Sequence, residues 1–259
     1  VKLGISSAAF YGRMETEEAA EHLKAFDVDT CEVFLQTYSE YTRAFGQVVR
    51  EKLGPVTVTS VHPKGTQFET DLFGSSVRQR ADALQIFERV CIAGEMMGAS
   101  FYVLHGPASY RHATRISGIL RLPDVLPEMQ KVAEKHGMEV LWENVSWCAC
   151  RTPEDVHEIL KMFPEQRFVL DVKQAKEMKV DPLEMACAMG DHLAHVHALD
   201  WDMEGKLTLP GQGVLDYRAL LDLLRSFSYD GAVILEPYSY MTKDEEQVRE
   251  SLRYLRSFM

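Results

Sequence analysis

The chain has 259 residues, 46% of them hydrophobic and 26% charged, which is ordinary globular usage and enough sequence to bury a large core as one or two domains. Lys and Arg number 28 against 39 Asp and Glu, a formal net charge of -11, so the average surface repels phosphate backbones and anionic membranes and argues against either partner. No apolar run approaches the ~18 residues of a membrane span, and the opening VKLGISSAAF lacks the basic, apolar and cleavage regions of a signal peptide. The cysteines (Cys31, Cys91, Cys148, Cys150, Cys187) are odd in number, and no second pair completes a zinc knuckle around Cys148 and Cys150. Reduced thiols in a cytoplasmic protein are the expectation.

In chain order, eight short runs of β-formers recur: KLGI, CEVFL, VTVTSV, SFYVLH, EVLWE, FVLD, AHVHAL and AVILE. Helical segments lie between them. RTPEDVHEILKMF has Thr152 to cap, Pro153 at the first helical position, and Glu154 and Asp155 at the positive end of the dipole. DPLEMACAMG opens with Asp181 and Pro182, and TKDEEQVRESLRYL places Thr242 and Glu245 at capping-box spacing. Stretches such as GEMMG and LLDLL read as core. Apolar strands alternating with helices of this length imply parallel pairing, because a parallel crossover needs a dozen or more residues. Eight such units with no linker between them predict one α/β domain over residues 1–259, a single (β/α)8 TIM barrel with a parallel eight-stranded core. An open doubly wound sheet shares the alternation, but no GxGxxG follows the first strand to support it.

The strands end on unusual residues. The third run closes on His62, the fourth on His105, the fifth on Glu143, the sixth on Asp171, the seventh on His197 and the eighth on Glu236. In a parallel barrel these ends open on one face, where barrel enzymes keep their active sites. Carboxylates and imidazoles crowded there as bare groups would be neutralised or would unfold the strands, and a divalent cation resolves the conflict. Glu143, Asp171, His197 and Glu236 form a mostly oxygen-rich ligand set suited to Mn²⁺ or Mg²⁺, with Zn²⁺, Co²⁺ or Fe²⁺ as further options. His62 and His105 are either further ligands, for a second ion sharing Glu143, or substrate contacts.

Taken singly, each residue has a plainer role. A strand-end histidine is often a hydrogen-bonded rim residue, and a strand-end carboxylate often caps the next helix. Six in register weaken that reading. His195 points the same way as His197 and is read as a structural histidine of a deeper layer, and Glu32 as a carboxylate that orients a neighbouring histidine. Trp142, of opposite parity to Glu143, is expected under the helices, whereas Trp147 and Trp201 lie beyond strand ends, where an indole stacks on a sugar face.

The segments ENVSW, FVLDVKQA, HVHALD, LPGQGVLDY and VILEPY resemble, in order and spacing, the xylose isomerase-like TIM-barrel superfamily of sugar isomerases, keto-sugar 3-epimerases, inosose dehydratases and endonuclease IV. The resemblance covers essentially the whole chain. Its single-metal epimerase branch uses Glu, Asp, His and Glu on consecutive strands, which match Glu143, Asp171, His197 and Glu236, and its GxGxxD turn matches Gly211, Gly213 and Asp216. There are departures. The frequent D-x-x-H has Gln174 in place of the histidine, preceded by Lys173, and the D-x-H pair of endonuclease IV is replaced by Gly205 and Leu207. Abasic-site DNA cleavage is therefore not expected.

The resemblance implies a metal-dependent isomerase or epimerase of a small sugar, sugar phosphate or polyol derivative. Glu143 and Glu236 would remove and return a proton next to a carbonyl, through an enediolate. Lys173 is either a cation that binds substrate oxygen or shuttles a proton, or a lysine that offsets the acidic site; Gln174 suits a sugar hydroxyl. Manganese is the expected cofactor and a small carbohydrate the expected partner, with a homo-oligomer left open. The same scaffold also fits a lyase, of keto-inositol dehydratase or C-glycoside-cleaving type, or a non-catalytic sugar-binding barrel.

Overall fold

The computed structural model describes residues 1–108 and 119–259. The eight β-rich runs become β1 (Lys2–Ser6), β2 (Thr30–Leu35), β3 (Thr57–Pro63), β4 (Phe101–Leu104), β5 (Glu139–Glu143), β6 (Arg167–Asp171), β7 (Leu193–Ala198) and β10 (Ala232–Leu235). They close into one barrel in the order β1-β10-β7-β6-β5-β4-β3-β2, every pair parallel. Between β7 and β10 the chain inserts a two-stranded antiparallel hairpin, β8 (Asp200–Trp201) with β9 (Leu207–Thr208). The predicted (β/α)8 TIM barrel is the observed fold.

Among the described residues the α-helices are α1 (Thr16–His22), α2 (Arg43–Leu53), α3 (Glu69–Leu72), α4 (Val77–Met97), α5 (Leu122–Lys135), α6 (Pro153–Met162), α7 (Val172–Glu177), α8 (Pro182–Met189), α9 (Tyr217–Ser226) and α10 (Glu245–Arg256). Their starts follow capping chemistry. Thr152 accepts from Asp155 N at 3.4 Å while the Asp155 carboxylate accepts from Thr152 N at 3.2 Å, closing a capping box on α6. Asp181 caps α8 by accepting from Leu183 N at 2.9 Å. The capping box expected of Thr242 and Glu245 does not form. Asp244 caps α10 instead, accepting from Glu246 N at 3.1 Å. Thr242 is fully buried and donates its hydroxyl to Ala9 O at 2.6 Å, because a hydroxyl shut away from water must find an acceptor.

One large apolar core fills the space between barrel and helices, and Val103, Leu141, Val169 and Ala194 form a second, smaller cluster, with Phe101 against it. Trp142 is fully buried in the larger core while its neighbour Leu141 belongs to the smaller one, as its parity predicts, and its indole N–H donates to His105 O at 3.3 Å. Among the described residues no helix is long and apolar enough to cross a membrane.

Candidate metal centre

Strand register brings the polar ends together. Asp171 on β6 sits beside His197 on β7, and His197 in turn pairs with Ile234 of β10, two residues before Glu236. Period-two alternation then turns Asp171, His195, His197 and Glu143 toward the barrel interior. Asn144, just past β5, locks this edge: its Nδ2 donates to Asp171 O at 2.9 Å and its Oδ1 accepts from Asp171 N at 2.8 Å.

Glu143, Asp171, His197 and Glu236 offer one ligand atom each, all within 4.8 Å of one another. His197 Nδ1 lies 3.1 Å from Glu143 Oε1 and 3.3 Å from Glu236 Oε2. Glu143 Oε2 and Asp171 Oδ2 are buried and make no hydrogen bond among the described residues. Buried carboxylate oxygens normally accept hydrogen bonds, so two that accept none and face one small volume are the arrangement a cation would satisfy. The residues fit the divalent ion that the sequence implies. His62, His105 and Glu143 form an adjoining group within the same span, with His62 Nε2 3.0 Å from His105 Nε2.

Electrostatics in the metal-free protein follow from that crowding. Burial works against ionisation of Glu143, but the hydrogen bond and charge of His197, with His105 and His62 nearby, hold its carboxyl well below the usual range. Glu236 is likewise lowered against burial, by His197 and Lys173. Asp171 goes the other way. Burial, reinforced by the Glu143 and Glu236 charges and only partly opposed by Lys173, pushes it up to about 7. His62 is raised to about 10 against burial, through Glu236, Glu32 and Glu143, and His197 is raised against burial by Glu236 and Glu32.

Lys173, the first cation past β6, is buried with Nζ 3.4 Å from Asp171 Oδ2 and 3.8 Å from Glu236 Oε2, over the Tyr238 ring at 4.9 Å. Burial disfavours its charge, yet those two carboxylates raise it and keep it an ammonium. Gln174, read as a contact for a sugar hydroxyl, accepts from Ser146 N through its Oε1 at 2.9 Å, which leaves its NH₂ for a ligand. Trp147 lies 5.4 Å from the His105 ring, and Trp201 lies on the hairpin beside Lys176, whose Nζ stands 5.7 Å from the indole. His195 and Glu32 are fully buried beneath the cluster.

The glycine turn is structural. Gly211 has φ +90° and abuts the Tyr254 ring, a Cβ at Gly213 would stand 2.2 Å from Asp200 Oδ1, and Asp216 caps α9 by accepting from Ala219 N at 2.9 Å. Sequence reasoning missed Glu69. On α3, it accepts the Tyr102 hydroxyl at 2.7 Å and the His105 backbone N–H at 3.3 Å, and its carboxylate lies 3.4 Å from His105 Nδ1. A lone acid at the start of a four-residue helix carries no periodic signal. Tyr238, two residues past Glu236, was also missed, although its place in VILEPYSY made it findable.

The sequence model of the family described as xylose isomerase-like TIM barrel matches residues 17–258. An inosose dehydratase of Glaesserella parasuis is 22% identical over 161 residues, which are 50% of this chain and 54% of that protein, so the match spans about half the length of such curated relatives. Among solved structures, a 3-keto-D-glucoside 4-epimerase from E. coli superposes with a TM-score of 0.79 at 19% identity, covering 99% of both chains. A D-psicose 3-epimerase crystallised in the presence of D-fructose gives 0.78 at 16% identity, covering 100% of this chain and 98% of that one. The IolI protein with a bound zinc atom gives 0.74 at 16% identity, covering 100% and 96%. At these identities the likenesses show the fold.

Proposed function

Because the chain belongs to the xylose isomerase-like TIM barrel family, we propose that it is a divalent-metal-dependent isomerase or epimerase that moves a proton next to the carbonyl of a small sugar, sugar phosphate or polyol derivative. One observation carries this reading: four ligand atoms from four neighbouring strands lie within 4.8 Å, with two buried carboxylate oxygens left without hydrogen bonds. Three carboxylates and one imidazole favour Mn²⁺, with Mg²⁺, Zn²⁺, Co²⁺ or Fe²⁺ as alternatives. Such an ion, held by Glu143, Asp171, His197 and Glu236, would polarise the substrate carbonyl and offset the negative charge that develops on it.

The protein groups then divide the work. Glu143, kept ionised by His197, and Glu236, which retains 12% side-chain exposure, are the acid/base pair. Proton transfer by positioned groups of this kind is typically worth about 10²–10⁴-fold. Lys173, 3.8 Å from Glu236 Oε2, would donate a hydrogen bond to a substrate oxygen. His62 and His105 suit hydroxyl contacts, Trp147 extends the His105 side of the pocket, and the Gln174 NH₂ and Trp201 complete the substrate contacts. Cys31, Cys91, Cys148 and Cys150 are buried and in no disulfide, which suits a cytoplasmic setting.

A second reading, a lyase, is favoured by the match to inosose dehydratases. The same enediolate would break the bond from the β-carbon to a hydroxyl or an aglycone instead of regaining its proton at carbon, and the proton held by the carboxylate would go to the leaving group. The two readings separate in one experiment. Protein stripped with a chelator and reloaded with Mn²⁺ is incubated with keto-sugars and keto-inositols, and products are weighed by mass spectrometry. Unchanged mass with altered configuration supports the isomerase or epimerase, and loss of water or an aglycone supports the lyase. No turnover of any member by protein carrying bound metal contradicts both.

A further inference from the structure

Beneath the ligand cluster lies a carboxylate that the chemistry above does not use. Glu32, on β2, is fully buried, and among the described residues no lysine or arginine pairs with it. Its oxygens are nonetheless occupied. Oε1 accepts from Ser6 Oγ at 3.2 Å and lies 3.5 Å from His62 Nδ1. Oε2 accepts from Ser60 Oγ at 2.8 Å and lies 3.1 Å from His197 Nε2 and 3.3 Å from His195 Nε2.

This contrast decides between two ligand sets. Glu32, His62, His197 and Glu236 also offer donor atoms within 4.8 Å of one another, so distance alone allows Glu32 to be a ligand. Saturation argues otherwise. Both Glu32 oxygens accept hydrogen bonds from protein donors, whereas Glu143 Oε2 and Asp171 Oδ2 accept none among the described residues and have only ion-pair contacts, the nearest being His105 Nε2 at 3.4 Å and Lys173 Nζ at 3.4 Å. With Nε2 turned to Glu32, His197 presents Nδ1 to Glu143 and Glu236.

We propose that Glu32 is a positioning residue: its Oε2 accepts the Nε2–H of His197 and thereby commits Nδ1 to the metal cluster, while Ser6 and Ser60 pin the carboxylate from the strands on either side. The inference rests on the metal reading for its consequence, and on the His197–Glu32 contact for its structure. An imidazole ligand whose other nitrogen is held by a carboxylate keeps one tautomer and one ring orientation and binds more strongly. Loss of such a partner typically weakens metal binding about 10–100-fold.

The test uses the full chain, its Glu32→Gln variant, which keeps the shape of the side chain, and its Glu32→Leu variant, which removes every acceptor. Histidine-¹⁵N-labelled, metal-free protein is examined by NMR for a slowly exchanging, hydrogen-bonded Nε2–H of His197, and Mn²⁺ affinity and stoichiometry are measured by titration. Expected are that resonance in the unmodified chain, its displacement in E32Q and its loss in E32L, with one ion still bound per chain and affinity weakened about tenfold in E32Q and about 100-fold in E32L. Absence of the resonance from the unmodified chain, or its persistence in E32L, overturns the proposal. So does unchanged Mn²⁺ affinity in both variants, or complete loss of stoichiometric binding in well-folded E32Q, which would make Glu32 a ligand. If neither variant folds, the unmodified chain's resonance alone decides. An unmodified chain that takes up no divalent ion defeats the metal reading by itself, and the N–H resonance still tests the Glu32–His197 contact.

Discussion

Replacing Asp171 by Asn should make the metal-free protein more stable while removing a ligand of the proposed metal site. Asp171 is buried, and its carboxyl rises from an ordinary 3.8 to about 7 in the folded chain. Across that window the folded chain retains a proton that the unfolded chain has released, so metal-free stability falls as pH rises and carries the full penalty above the folded value. A rise of roughly three pH units at ~1.4 kcal/mol each places that penalty at ~4 kcal/mol by pH 8. Asn keeps the oxygen that accepts from Gln174 N at 2.9 Å, so the start of α7 survives. Lys173 loses its 3.4 Å partner but keeps Glu236 at 3.8 Å, which offsets part of the gain. The net expectation is a stabilisation of ~2 kcal/mol at pH 8, shrinking toward pH 4, read by urea unfolding in excess chelator. A D171N protein that unfolds at lower urea than the unmodified chain under those conditions would refute the reasoning.

Further outcomes follow from the same contacts. Asn144→Leu orphans the Asp171 backbone N–H and carbonyl now bonded at 2.8 and 2.9 Å, at ~1–3 kcal/mol for each group, and should lower both the melting temperature and Mn²⁺ affinity. Lys173→Met removes an ammonium that competes for two ligand carboxylates, so Mn²⁺ should bind more tightly while turnover falls by about 10²–10⁴-fold; unchanged affinity in a binding titration would contradict the placement. Mn²⁺ binding near neutral pH displaces the Asp171 proton, so apparent affinity should climb as pH rises through about 7, with proton release visible by calorimetry in buffers of different ionisation enthalpy.

The barrel was legible because its signals are periodic and repeated: eight apolar runs, helices between them, and strand ends that deliver His62, His105, Glu143, Asp171, His197 and Glu236 to one face. A residue on a regular strand inherits its direction from its neighbours, and so His195 beneath His197 and Trp142 outside the barrel were readable too. What escaped depends on irregular backbone. Glu69 reaches His105 from a four-residue helix, where no spacing rule fixes direction. The bond from Ser146 N to Gln174 Oε1 was not readable either, because the path of the ENVSW segment that brings the two together is set by tertiary packing. Thr242 failed as a cap for the same reason: its partner, Ala9, lies at the other end of the chain.

Anomalous diffraction at the manganese edge from crystals grown with Mn²⁺ tests the central claim most directly. A site with ligand distances of about 2.0–2.6 Å to carboxylate oxygens of Glu143, Asp171 and Glu236 and to His197 Nδ1 is the predicted result. Saturating Mn²⁺ with no peak among those four side chains, or with ions only elsewhere on the molecule, would contradict the account.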